Sequence, residues 1–259
     1  MQFDFHTTKS IFLQRGGSAN LAKLIQERGG KSVLIVTDPG VLSAGLLEKS
    51  LSGFKSAGLP LQIFSDVQAD PPISVINNAV RVAQEYGADF IVGFGGGSSM
   101  DVAKLVALLA LGKEKLADIY GVDMVKGPRL PLILVPTTAG TGSEATKSSV
   151  VTVSESEKKG VLSPHLLPDL ALLDAELTLG LPPHVTAATG IDAMVHAIEA
   201  FTTKRLKNPM ADCLAKEALR LLSGNLHKVV NAGNDIVANT GSVSAATTVT
   251  AGTDVIGQR

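Results

Sequence analysis

Three stretches of this 259-residue chain carry side chains that could do chemistry. The first runs from Gly93 to Lys104 and reads GFGGGSSMDVAK. Gly95, Gly96 and Gly97 lack Cβ atoms, so backbone N–H groups there can come close to a ligand. Ser98 and Ser99 add hydroxyls where a helix would begin, and the helix dipole favours an anion at that end. This suits a pyrophosphate cradle; the plain alternative is a tight strand-to-helix turn. The spacing is neither a G-x-G-x-x-G fingerprint, since Met100 takes the third glycine's place, nor a P-loop. The second stretch, PTTAGTGSE, follows from Pro136, with Thr137, Thr138, Thr141 and Ser143 interleaved with glycine. Such a loop can line the crevice beyond the carboxyl ends of parallel strands, or it is an ordinary hydrophilic loop. In the third stretch, Asp192 and His196 stand four residues apart. On a helix they share one face. A carboxylate and an imidazole so placed make half of a divalent-metal site or a helix-surface pair. Asp38 ends an apolar run before Pro-Gly. There it can accept hydrogen bonds from a ribose diol, which favours NAD, or simply start a turn.

The elements that must position these residues follow from hydrophobic patterning. Short apolar runs at Lys31–Asp38, Leu59–Phe64, Asp89–Phe94 and Pro131–Pro136 read as strands. They alternate with helical patterns at Leu42–Ala57, Pro72–Gly87 and Ser98–Leu111. Continuous apolar strands between amphipathic helices predict a parallel sheet covered on both faces, a doubly wound α/β domain. This domain is expected over residues 1–181. Short strand-like pieces occur at Ser148–Val153, Gly160–Ser163 and Leu170–Asp174. Helices follow at Pro183–Thr202 and Pro209–Lys228, the start of an all-helical domain over 182–237. The tail, 238–259, is rich in Thr, Ala, Ser, Gly and Val, without helical periodicity. It reads as a disordered end, an edge strand or sequence foreign to the domain.

Composition narrows the partners. Lys and Arg number 23 against 24 Asp and Glu, a net charge of −1. Nucleic acids and anionic membranes recruit an excess of basic residues, so neither is expected as a partner. With no Trp and two Tyr, a stacking platform for single strands is not expected. Cys213 is the single cysteine, which excludes an intramolecular disulfide and a cysteine-cage zinc site. The longest apolar runs fall well short of the about 20 residues that cross a bilayer. The start of the chain does not have the form of a signal peptide, so a cytoplasmic location is expected.

GGGSSMDVAK, then PTTAGTGSE, then LPPHVTAATGIDAMVHAIEAF, in that order, resemble the iron-containing (group III) alcohol dehydrogenases, from about Phe3 to about Ile236. The resemblance implies a dinucleotide-binding α/β domain, an all-helical domain, and a divalent metal, Fe(II) or Zn(II), in the cleft between them. It assigns the pyrophosphate of NAD to Gly95, Gly96, Gly97 and Ser98. Asp38 falls where the family discriminates NAD from NADP, and Thr137, Thr138, Thr141 and Ser143 fall on nicotinamide-side and ribose-side contacts. Lys159 lies in the segment approaching the adenosine. Asp70 stands where relatives often carry Asn before Pro. Asp192 and His196 match the first two metal ligands.

Relatives supply two more histidine ligands from later helices, one in a His-Gly motif. Of the five histidines here, only His227 follows the Asp–His pair, outside such a motif. The expected function is hydride transfer between NAD(H) and a short-chain alcohol or aldehyde, impaired for want of those ligands. The alternatives are a truncated, non-catalytic NAD-binding fragment or a metal-independent enzyme like the maleylacetate reductases. Apolar faces on the two helices, meant for helices not present, lead to an expectation of homo-oligomers.

Overall fold

The computed structural model describes residues 3, 5–154, 156–204 and 207–250. The chain runs β1 (Ile11–Leu13), α1 (Leu21–Gln26), β2 (Val33–Val36), α2 (Pro39–Ser43), α3 (Glu48–Ala57), β3 (Leu61–Phe64) and α4 (Ile73–Tyr86). It continues through β4 (Phe90–Gly95), α5 (Gly97–Leu109), β5 (Gly121–Val122), β6 (Leu132–Pro136), the hairpin β7 (Ser148–Ser154) and β8 (Glu157–Leu162), and β9 (Leu170–Leu173). Three helices close it: α6 (Pro183–Thr202), α7 (Pro209–Asn231) and α8 (Ile236–Thr250). The main sheet has six parallel strands in the order β1-β9-β6-β4-β2-β3, and β5, β8 and β7 form a separate small sheet.

The expected doubly wound α/β architecture is therefore present, and its strands are apolar throughout for a visible reason. In β2, Leu34 and Val36 enter the core layer shared with α4 and α5, while Val33 and Ile35 enter the layer shared with α1 and α3. β6 divides its residues in the same way. Side chains alternate across a strand, so covering both faces requires apolar residues at every position. The helix expected at Leu42–Ala57 is instead two, α2 and α3, because the chain turns at Gly45 with φ +67°. Between β2 and β4 the chain order reverses direction across the sheet. A crevice opens there beyond the strands' carboxyl ends, the ground on which such sheets bind ligands.

The tail departs from expectation. Residues 238–250 are not an irregular end: they belong to α8, a helix packed against α6 and α7. No stripe appears in its sequence because it is buried nearly all round, with Ala238, Ser242, Val243, Ala245, Ala246, Thr247, Val249 and Thr250 all enclosed. Thr240, Ser242 and Thr248 each donate within the helix to the carbonyl four residues earlier, whereas Thr247 and Thr250 reach outside it. Small side chains let neighbouring helices approach closely, so tertiary packing overrides weak helix propensity. Residues 251–259 lie outside the described residues. The unpartnered apolar face on α6 is present, with Ile191, Val195, Ile198 and Phe201 exposed.

Asp169 ties the amino end of β9 to its surroundings. It accepts hydrogen bonds from Arg129, Lys9 and the Leu132 amide at 2.7, 2.6 and 3.0 Å. Burial alone would raise its pKa, but those donors prevail and hold it at about 2, against an ordinary value of 3.8. A depressed carboxylate pKa stabilises the fold above the unfolded value and ceases to do so as pH falls through the folded one. D169N should therefore lower stability by roughly 2 kcal/mol at pH 7. In urea titrations, the gap from wild type should close as the pH falls from about 4 to about 2.

Candidate active site

The Gly-rich turn stands where β4 ends and α5 begins. Gly96 caps α5. Gly96, Gly97 and Ser98 are partly exposed, in contrast to the buried residues on either side. Gly95 has φ +153°, and a Cβ there would sit 2.7 Å from Ser99 Oγ and 2.8 Å from Asp38 Oδ2. That crowding reflects a real contact: Ser99 Oγ donates to Asp38 Oδ2 at 2.9 Å. Asp38 also caps α2, its Oδ1 accepting from the Val41 amide at 3.0 Å. The turn-starting reading of Asp38 is thus realised. A carboxylate has about four acceptor positions, so these two bonds leave it capacity for a further donor. Asp38, Pro39, Asp66, Gln68 and the Gly96–Ser99 turn line a hollow of about 490 Å³.

A second hollow, of about 500 Å³, adjoins it at Gly97 and Ser98. Its walls include Thr141 and Ser143 from the loop after β6, Asp70 and Lys158, and, from α6, Asp192 and His196. The structure thus brings the glycine turn and the Asp–His pair to one cleft, although more than ninety positions separate them in sequence. Asp192 Oδ1 lies 3.8 Å from His196 Nε2, and the buried Nδ1 of His196 has no hydrogen-bond partner. A carboxylate beside an imidazole suits Fe(II) or Zn(II). Among the described residues, no group of three or more His, Cys, Asp or Glu side chains could hold a metal. His227 is exposed near the end of α7 and is absent from the residues lining this cleft.

Profiles built on known families agree with this layout. That of the iron-containing alcohol dehydrogenases matches residues 8–175, and that of the family's C-terminal part matches 186–254. The chain belongs to the iron-containing alcohol dehydrogenase family. The C-terminal match takes in α8, so this helix is family sequence rather than a foreign tail. Long-chain-alcohol dehydrogenase 1 of Geobacillus thermodenitrificans is 40% identical over 223 residues, covering 85% of this chain and 56% of that protein. The solved structure of a 1,3-propanediol oxidoreductase superposes with a TM-score of 0.93 at 32% identity, over 97% of this chain and 66% of that one. A sulfoacetaldehyde reductase from Bifidobacterium kashiwanohense, in complex with NAD+, superposes with a TM-score of 0.90 at 28% identity, over 98% and 68% of the two chains. The chain spans 52% to 64% of the length of eight curated relatives that it matches.

Within this iron-containing alcohol dehydrogenase fold, the remaining expected contacts separate by geometry. Thr138 and Thr141 stand over the glycine turn. Cβ atoms added at Gly96 and Gly97 would lie 3.8 and 3.0 Å from their Oγ1 atoms. Thr137 is buried, its amide donating to Gly95 O at 3.0 Å. Ser143 faces the cleft, but its hydroxyl is engaged: it donates to Asp101 Oδ1 at 2.6 Å and accepts from Lys104 at 2.7 Å. Lys159 does not line the cleft. It lies 5.4 Å over the Tyr120 ring, while its neighbour Lys158 lines the cleft and pairs with Asp70 at 2.6 Å. Adjacent residues of a strand point to opposite faces, so only one of the two lysines faces this cleft.

Sequence reasoning also passed over Asp101, Lys104 and Glu144. A signal was there: Lys104 is a charge followed by the wholly apolar run Leu105–Leu109, with Asp101 one turn before it on the same helix. Glu144 is buried, and burial raises its pKa. It accepts from Thr247 of α8 at 2.6 Å, and Thr250 of the same helix donates to Gly142 O at 2.9 Å. The third helix thereby rests on the loop that follows β6. G95A should displace Ser99 from Asp38 and crowd the turn. We expect NAD binding to weaken about tenfold or more in calorimetry, with the far-UV circular dichroism unchanged.

Proposed function

We propose that this protein transfers hydride between NAD(H) and a short-chain alcohol or aldehyde, with a divalent metal, Fe(II) or Zn(II), held at Asp192 and His196. The observation that carries the reading is the single cleft lined by both Ser98 and His196. The glycine turn offers backbone N–H groups and a helix N-terminus to the pyrophosphate. Asp38 offers carboxylate oxygens to the adenosine ribose, which favours NAD over its 2′-phosphorylated form. Thr141 bounds the cleft and Thr138 stands over the turn beside it, and the two orient the nicotinamide half. Asp192 and His196 contribute one oxygen and one nitrogen ligand. When bound, the dinucleotide supplies the hydride acceptor or donor, and the metal a Lewis acid for the substrate oxygen.

A second reading, binding of NAD without turnover, is favoured by one observation. Among the described residues the pair belongs to no group of three or more acidic, His or Cys side chains that could hold a metal, whereas catalytic metal sites usually draw on about three protein ligands.

Calorimetry with NAD, Fe(II) and Zn(II) on wild type, D192A and H196A tests both readings. The first expects NAD to bind all three chains alike. It also expects saturable metal uptake by wild type alone, at least about 100-fold weaker in either variant, and propanol oxidation abolished by a chelator. Metal uptake that survives both substitutions refutes the assignment of the ligands. NAD binding without metal uptake or turnover establishes the second reading.

A further inference from the structure

The end of each signature stretch is left without a role by the proposed function: Asp101 and Lys104 in the first, Ser143 and Glu144 in the second. Lys104 is 0% exposed, yet it projects from the middle of α5. Its ammonium reaches Ser143 Oγ at 2.7 Å, Thr146 Oγ1 at 3.0 Å and the Ser148 carbonyl at 2.7 Å, with Asp101 Oδ1 at 3.4 Å. Three N–H bonds thus diverge to three oxygens on three residues of one segment. The Ser143 proton is directed to Asp101, so Ser143 presents a lone pair to the lysine. Asp101 Oδ2 accepts from the Val150 amide at 3.0 Å, and Ser149 Oγ donates to the Asp101 carbonyl at 3.1 Å. Every residue from 143 to 150 that bonds to this cluster is therefore fixed to α5, the helix that opens with the glycine turn.

Stability alone does not call for such an arrangement. A buried ion pair is commonly no more stabilising than apolar side chains of similar volume, whereas a diverging set of hydrogen bonds defines a position. Ser143, Thr146, Ser148 and Asp101 all line the cleft; Lys104 itself does not. We propose that Lys104 is a positioning residue of the cofactor cleft: through Ser143, Thr146 and Ser148 it sets the segment after β6 at a fixed distance from the Gly95–Ser98 turn, so that the dinucleotide meets a preformed groove. The inference rests on the reading of this cleft as an NAD site.

The test compares wild type and K104M by NAD calorimetry, thermal unfolding and hydrogen exchange, with S143A and the double variant completing a cycle. Methionine retains the length of the side chain and removes the three donors. K104M is expected to unfold cooperatively and to bind NAD about tenfold or more weakly. Amide exchange should accelerate at residues 143–150 while β2 stays protected. The S143A and K104M losses in NAD affinity should not add, since one acts through the other. A folded K104M with wild-type NAD affinity, or with unchanged exchange at 143–150, overturns the proposal. Should K104M fail to fold, T146V and S143A each remove one acceptor and leave the lysine. Wild-type NAD affinity in both overturns the proposal equally. A wild-type chain that binds no NAD refutes the proposed function instead, and the exchange data then decide the clamp on their own.

Discussion

The cleft depends on one close approach of backbone to side chain. Where β4 passes into α5, the chain must run between Asp38 and Ser99 on one side and Thr141 on the other, with space for no more than a hydrogen at Gly95 and Gly97. The sheet forces this path. Both of its faces are filled by core side chains, so open ground is left only at the strand ends, and there the β2–β4 reversal separates the two crossover connections. Glycine at this passage keeps amide N–H groups unshielded at a helix start, where an anion is favoured on electrostatic grounds.

Around that passage the structure places two kinds of polar contact. One is open to the cleft: the partly exposed turn, the Lys158–Asp70 pair, and the Asp192–His196 pair, with side-chain exposures of 47% and 17% respectively. The other is closed: Lys104 with its oxygens, and Glu144 with Thr247. The closed contacts are the stronger constraint. An unpaired polar group costs more in a medium of low polarity than at the surface, so a buried hydrogen-bonded set tolerates little displacement. An exposed ion pair such as Lys158–Asp70 is worth at most about 1 kcal/mol and is readily exchanged for a ligand. A groove with a stiff wall and exchangeable rim charges is suited to a long, doubly charged ligand.

The helical layer is coupled to the same wall. Thr247 and Thr250 of α8 reach Glu144 and Gly142, and Thr189 of α6 lies against Gly140, where an added Cβ would meet it at 2.6 Å. The loop after β6 is thus held by α5 from one side and by α6 and α8 from the other. His196 and the glycine turn share a cleft because both are referenced to this loop.

Much of this was legible in the sequence. The apolar runs at Val33, Phe90 and Leu132 gave the parallel sheet, since only strands buried on both faces need apolar residues throughout. Three glycines after a strand gave the turn, and four-residue spacing put Asp192 and His196 on one face. Three things were decided only by tertiary structure. α8 is held as a helix by packing on α6 and α7, and its burial on most sides erases the stripe that periodicity would detect. Lys158 rather than Lys159 faces the cleft because strand register selects one of two adjacent lysines, and local sequence does not encode register. Ser143 lines the cleft with its hydroxyl already engaged by Asp101 and Lys104, since a hydroxyl has one proton, and which acceptor takes it depends on groups that folding brings together from about forty residues away.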